Sequence, residues 1–277
     1  MKHTEGTFKG VRDLDIYYQG WLPEREVKAV ILIVHGLGEH CGRYMNHVNR
    51  FTPLGYAFYG LDHIGHGKSG GGREQINRFE DFTAPLTAYY KMVKEWQPGK
   101  PIFILGHSMG GLITSFYLLD NQDKFKGAII SAAGVKVPAN ISPMTITMGK
   151  ILSALAPTAG LLALDPNGIS RDPQVVKAYV ESPLVFHGKT PARLAAEMLR
   201  AMLRVTAEAG KISLPLFLLH GSADKLVDPP ASQMLYDKAG SKDKTLKIYE
   251  GLVHEVHNEP ERETMFKDLE AWLQVHV

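Results

Sequence analysis

The sequence predicts an α/β domain, a mostly parallel central sheet flanked by helices, with a helical segment inserted between strands. Three observations predict it. Six short apolar runs rich in Val, Ile, Leu and Phe recur along the chain, as buried strands do. Longer amphipathic segments separate them, the alternation expected of strand-helix-strand units. From about Lys136 to Lys211 the rhythm stops, and the composition becomes helical, methionine-containing and proline-punctuated. The expected division is a core of residues 1–137 and 211–277 with a cap of 138–210.

Taken in order, "GTFKGVRDLDIYYQGWLP" (Gly6 to Pro23) reads as a hairpin added at a sheet edge. "KAVILIVHG" (Lys28 to Gly36) and "GYAFYGLDH" (Gly55 to His63) read as buried strands. In "NRFEDFTAPLTAYYKMVKEW", Phe79, Phe82, Leu86, Tyr90, Val93 and Trp96 keep helical spacing, with Pro85 near the start. "KPIFILGHS" (Lys100 to Ser108) is a strand running into the helix of "MGGLITSFYLLDNQ". "FKGAIISAAG" (Phe125 to Gly134), "LPLFLLHGSAD" (Leu214 to Asp224) and "KTLKIYEG" (Lys244 to Gly251) complete the strands. "DPPASQMLYDKAG" opens a helix with Asp228 as N-cap and Pro229 at the first helical position. "EPERETMFKDLEAWLQV" closes the chain as an amphipathic helix.

Composition removes several classes of function. The 277 residues are 44% hydrophobic and 22% charged, with 31 basic against 29 acidic residues. Without a basic run, neither nucleic acid nor an anionic membrane is an electrostatic partner. The single Cys41 permits no internal disulfide. No apolar stretch reaches the roughly 20 residues that span a bilayer, and the N-terminus lacks the pattern of a signal peptide. The expectation is a soluble cytoplasmic protein.

The chemistry centres on "GHSMG", Gly106 to Gly110. Alone, G-x-S-x-G is a weak signal, since Gly-Ser turns are common. Between a strand and a helix it is the sharp turn that lifts a serine hydroxyl out of a sheet, here Ser108. A serine needs a base to take its proton. In this topology an acid and then a histidine should follow, each after a later strand. "SADKLVDPP" offers Asp224 and Asp228; Asp224 is preferred because Asp228 has a role as helix cap. "LVHEVHN" offers His254 and His257; His254 is preferred as the first after its strand. "VHGLGEH" can aim the Leu37 N–H at the point served by the Met109 N–H, an oxyanion hole for acyl transfer. Four separate stretches in the right order make chance an inadequate account.

Weaker candidates have plainer readings. Asp62, His63 and His66 in "DHIGHGKSGG" have no further residue at zinc-ligand spacing nearby and read as a hydrogen-bonded loop. Its glycines do not match the phosphate-binding G-x-x-x-x-G-K-[ST] pattern. Cys41 reads as a small buried thiol. No cofactor or metal is expected. The Met and Leu stretch from Met144 to Leu164 reads about equally as core and as membrane contact; its Ile151, Leu152, Leu155, Leu161, Leu162 and Leu164 exceed what a thin helical flap can bury, which suggests contact with acyl chains and interfaces.

"HGLGEHCGRY", "LDHIGHGKSGG", "GHSMGG", "SPLVFHGKTPARLAAEM", "HGSADKLVD" and "LKIYEGLVHEVHNE" together resemble the monoacylglycerol lipases of the α/β-hydrolase fold, from about Gly6 to the C-terminus. The resemblance implies Ser108, Asp224 and His254 as the triad, with Leu37 and Met109 amides as the oxyanion hole. It implies a cap over an acyl-chain tunnel, for which Ile151, Leu152, Leu155, Leu161, Leu164 and Leu184 are candidates. It further implies a polar glycerol pocket of Glu39, Arg43 and His257, although Glu39 and Arg43 also read as a structural ion pair. The implied partners are a lipid ester and, transiently through the cap, a membrane or micelle surface. A carboxylesterase or lysophospholipase is the alternative within the fold. A binding protein without turnover is the alternative outside enzymes, and the complete triad argues against it.

Overall fold

The computed structural model describes residues 1–137 and 143–277. The predicted cap boundary at Pro138 lies outside the described residues. The chain opens with strands β1 (Lys2–Lys9) and β2 (Asp15–Leu22), followed by β3 (Ala29–Val34), helix α1 (Met45–Phe51), β4 (Tyr56–Leu61) and α2 (Glu80–Trp96). Next come β5 (Ile102–His107), α3 (Met109–Asn121) and β6 (Gly127–Ser131). Between β6 and the next long strand lie α4 (Pro143–Leu155), β7 (Gly160–Leu162), α5 (Pro173–Glu181), β8 (Thr190–Pro191) and α6 (Ala192–Glu208). β9 (Leu216–Gly221), α7 (Pro230–Lys238), β10 (Lys244–Tyr249) and α8 (Arg262–His276) finish the chain.

Among the described residues, eight strands form one sheet in the order β1-β2-β4-β3-β5-β6-β9-β10. The six apolar runs are its six parallel strands, β4 through β10 in that order. The N-terminal hairpin adds the antiparallel edge. Every residue of β3, β4, β5, β6 and β9 is buried, whereas β10 at the opposite edge is partly exposed. That is why its sequence carries lysines among the apolar residues. Strand alternation divides the core in two. Val30, Leu32 and Val34 join Leu86 of α2, Leu112 of α3 and Leu235 of α7 on one face. Ala29, Ile31 and Ile33 join Val48 of α1 and Phe266 and Leu269 of α8 on the other.

Three local expectations change. Asp228 does not cap α7; the helix starts at Pro230 after Pro229, and Asp228 contributes its backbone carbonyl to Ala231 N. The stretch predicted to lack strands contains the β7–β8 ribbon. Its strands have three and two residues, too few to produce alternation, and β7 is exposed throughout. The last helix of the expected cap is not a flap. Leu194, Ala201 and Val205 of α6 are buried in the same cluster as the sheet, and Arg204 pairs with Asp120 of α3 at 2.9 Å. Its amphipathic pattern fits a core helix as well as a cap helix, so sequence alone does not separate them.

Candidate active site

The elbow explains its own glycines. Ser108 has φ 56° and ψ −119°, a strained backbone for a residue with a side chain. A Cβ on Gly106 would lie 2.5 Å from the Gly110 carbonyl oxygen, and one on Gly110 would lie 2.0 Å from the Val34 carbonyl oxygen. The flanking glycines therefore serve close packing of β5, α3 and β3, and the left-handed residue is the serine itself. Ser108 N donates to Ser131 O at 2.9 Å, and Ser108 O accepts from Leu112 N and Gly134 N. These bonds fix the turn at the C-terminal edge of the sheet.

Asp224 and His254 arrive from the ends of β9 and β10. His254 Nδ1 lies 2.7 Å from Asp224 Oδ2. Donation from Nδ1 leaves Nε2 as the acceptor nitrogen. Asp224 Oδ1 accepts from Leu226 N at 2.8 Å and Val227 N at 3.1 Å. Burial works against its charge, but hydrogen bonds from His220 and His254 outweigh this and hold the carboxyl well below its ordinary range. Ser108 and His254 line one recess. No hydrogen bond joins their side chains among the described residues, so they meet across the recess and not as a bonded pair.

The recess is lined by the residues that follow β3, by the elbow and by the loop of His254 and Glu255. On the β3 side, Gly36 N is taken by Glu39 Oε1 at 2.6 Å. The Leu37 and Met109 N–H groups have no acceptor among the described residues, and so are available to a ligand. The polar wall is a buried network. Arg43 Nη1 donates to Glu39 Oε2 and Glu255 Oε1, both at 2.6 Å, and Nη2 donates to Glu255 Oε2 at 2.7 Å. The Arg43 guanidinium lies 4.7 Å from the centre of the Tyr179 ring. Burial alone would make Arg43 easier to deprotonate; Glu255 and Glu39 more than reverse that. One cation faces two carboxylates, and burial pushes the Glu39 carboxyl up against the pull of Arg43. The apolar wall is Leu164, Ile169 and Leu226.

The base-bearing loop is bonded to the segment that precedes α5. Glu255 N donates to Ile169 O at 2.8 Å. Fully buried Glu259 accepts from Ser170 Oγ at 2.7 Å, Arg171 N and Arg171 Nε at 2.6 Å each, and Val253 N at 3.2 Å. Behind the loop at Gly38, Glu74 is buried with Oε2 unpartnered. Burial pushes its carboxyl up to about 7, against a hydrogen bond from Thr190.

Residues 25–261 match the family model described as serine aminopeptidase, S33. A monoacylglycerol lipase of Mycolicibacterium smegmatis is 35% identical over 99% of this chain and 98% of its own length. The human monoglyceride lipase is 33% identical over 93% of this chain and 86% of its own. The crystal structure of a monoacylglycerol lipase from Paleococcus ferrophilus superposes with a TM-score of 0.82, at 30% identity and full coverage of both chains. The chain belongs to the monoacylglycerol lipase group of this α/β-hydrolase family.

Against that family frame, the structure brings together Ser108, Asp224, His254, Leu37, Met109, Glu39 and Arg43. His257 is not on the recess. It is buried behind it, its ring stacked on Tyr44 at 5.2 Å and tilted against His47 at 4.9 Å. The short 3-10 turn from Val256 to Asn258 turns it inward toward α1. Of the residues considered for an acyl tunnel, Leu164 borders the recess. Ile151, Leu155 and Leu161 point outward, 54%, 81% and 43% exposed, because α4 and β7 have core beneath them on one side only. Leu152 and Leu184 are half-buried but do not border the recess. Asp62 accepts Cys41 N and Lys68 N at 2.9 Å each, and the His35 ring accepts His63 N at 2.9 Å, so "DHIGHGKSGG" is a hydrogen-bonded loop. Sequence reasoning missed Tyr179, His220 and Glu255. Only tertiary contact reveals Tyr179 and Glu255, but His220 stands in the same "HGSAD" as Asp224.

Proposed function

We propose that this chain hydrolyses monoacylglycerols to fatty acid and glycerol through an acyl-enzyme on Ser108. Ser108 Oγ attacks the ester carbonyl carbon while His254 Nε2 accepts its proton. Asp224 holds the Nδ1–H tautomer and stabilises the imidazolium. The Leu37 and Met109 amides receive the oxyanion. His254 returns the proton to the departing glycerol oxygen, and a water activated by the same nitrogen then releases the acyl group. Each step uses groups of this chain.

The observation that carries the substrate class is the polar wall of Glu39, Arg43, Glu255 and Tyr179 beside Ser108 and His254. The glycerol hydroxyls lose water on entry and need those partners. The names of the relatives agree with this reading. His257 acts in it from behind, through the packing of Tyr44.

Residues 138–210 serve as the cap, with α6 as its anchor in the core. Ile151, Leu155 and Leu162, 54%, 81% and 74% exposed, form an apolar outer face suited to transient contact with a lipid surface. Among the described residues, no helix is long and apolar enough to cross a membrane. The test is a panel of mono-, di- and triacylglycerol, lysophospholipid and methyl ester with one acyl chain. Monoacylglycerol should have the highest kcat/KM; equal rates across the glycerides and the methyl ester would leave a general carboxylesterase.

A further inference from the structure

His220, near the end of β9, is fully buried and four residues before Asp224. Its Nε2 lies 3.0 Å from Asp224 Oδ2 and 3.0 Å from the Val227 carbonyl oxygen, and its Nδ1 lies 2.7 Å from Ser232 Oγ. Both neighbours of Nε2 are acceptors, so Nε2 carries the proton and donates. Nδ1 is then bare and accepts the Ser232 hydroxyl. The Asp224 oxygen that receives His220 is the one that receives His254 Nδ1. One carboxylate oxygen thus serves two imidazoles.

We propose that His220 is a positioning residue for the hydrolysis: by sharing Asp224 Oδ2 with His254, it fixes the carboxylate and draws off part of the charge that would otherwise stabilise the His254 imidazolium. In this way it sets the pH at which the base is free to take the Ser108 proton. The inference rests on the roles proposed above for Asp224 and His254.

The other groups around the base leave this role open to it. The His107 ring is 4.6 Å from His254, and His257 is 5.1 Å from His107. Burial keeps both rings neutral. The Arg43 charge is matched by Glu39 and Glu255 on the loop beside His254. From α7, Ser232 reaches His220, not the base. Asp224 is the carboxylate bonded to His254, so the demands on its Oδ2 decide how strongly the imidazolium is held.

The test is the pH dependence of kcat/KM for wild type, His220→Gln and His220→Leu, with Tm measured on each. The Gln amide nitrogen can occupy the place of Nε2 and donate; Leu cannot. Loss of the donor leaves Oδ2 more negative and favours the imidazolium, so the base stays protonated to higher pH. The acid limb of His220→Leu should move upward by about half a unit or more, as a changed neighbour of an ionising pair produces. His220→Gln should keep the wild-type limb. A residue that only ties down the loop would lower Tm and leave the limb in place. An unmoved limb in His220→Leu, or an equal move in His220→Gln, overturns the inference. If His220→Leu does not fold, nitrogen NMR of the wild type decides: His220 must stay protonated on Nε2 alone through the acid limb, and an Nδ1–H tautomer or titration of His220 there overturns the inference. His254→Ala separates the two claims. Near-wild-type turnover in it removes the general-base reading, whereas an inactive His254→Ala beside an unmoved His220→Leu removes only the role of His220.

Discussion

Replacing Arg43 with Met tests the buried network beside the serine. The substitution keeps a long side chain and removes the cation paired with both Glu39 and Glu255, together with the stacking on Tyr179. Removing one partner of a buried ion pair costs about 3–5 kcal/mol, because the remaining charge stays out of water. For a chain of this size, each kcal/mol lowers Tm by about 2 °C, so the variant should melt about 6–10 °C below wild type at pH 8. The loss should depend on pH. In the variant Glu39 loses its cation, and burial raises its carboxyl further above its unfolded value of about 4.3. Groups raised in the folded state contribute stability below the unfolded value and lose it as pH rises through the folded value. The gap to wild type should therefore widen from pH 5 to pH 8. Glu39→Gln on the Arg43→Met background should recover part of it at pH 8. Calorimetry across this range reads both effects. A Tm drop under about 2 °C, or one equal at pH 5 and pH 8, would refute the reasoning.

Ser108→Ala should abolish ester hydrolysis and fluorophosphonate labelling and leave Tm close to wild type; turnover near wild type in folded protein would exclude Ser108 as nucleophile. His254→Ala should remove nearly all of kcat, whereas His257→Ala should act mainly on Tm by breaking the stack with Tyr44; reversed severities would make His257 the base. Glu74→Gln should stabilise the protein progressively as pH rises from about 4.5 to about 7, by at most about 3 kcal/mol, since the raised carboxyl of the wild type loses its stability across that window. Thermal melts at pH 4.5 and 8 check this, and no difference in the gap between them counts against it. Leu155→Asp with Leu162→Asp should weaken sedimentation with liposomes and leave hydrolysis of a soluble short-chain ester unchanged; unaltered binding would remove the outer face as a contact surface.

The sheet was legible because its parallel strands are buried on both faces and so appear as unbroken apolar runs. Ser108, Asp224 and His254 were legible because chain order places them at consecutive strand ends. The polar wall was only half legible: Glu39 and Arg43 are four residues apart in sequence, but Glu255, 212 residues beyond Arg43, is joined to it by folding alone. The cap misled for a different reason. Leu155 and Leu161 have the hydrophobicity of tunnel residues, yet apolar content gives no direction, and a thin layer has two sides. His257 was placed in the pocket by the family resemblance, whereas the 3-10 turn packs its ring on Tyr44 and His47, off the recess.

The contact of Glu259 with Ser170 and Arg171 divides the insertion into exchangeable and inherited parts. A cap swapped in from another hydrolase could change the outward residues of α4 and β7 freely, because Ile151, Leu155 and Leu162 are exposed. It could not change the 169–171 segment without stranding a buried carboxylate in the loop that carries the histidine. The outer arm can therefore be exchanged alone, whereas the joint has to move together with the loop that bears His254.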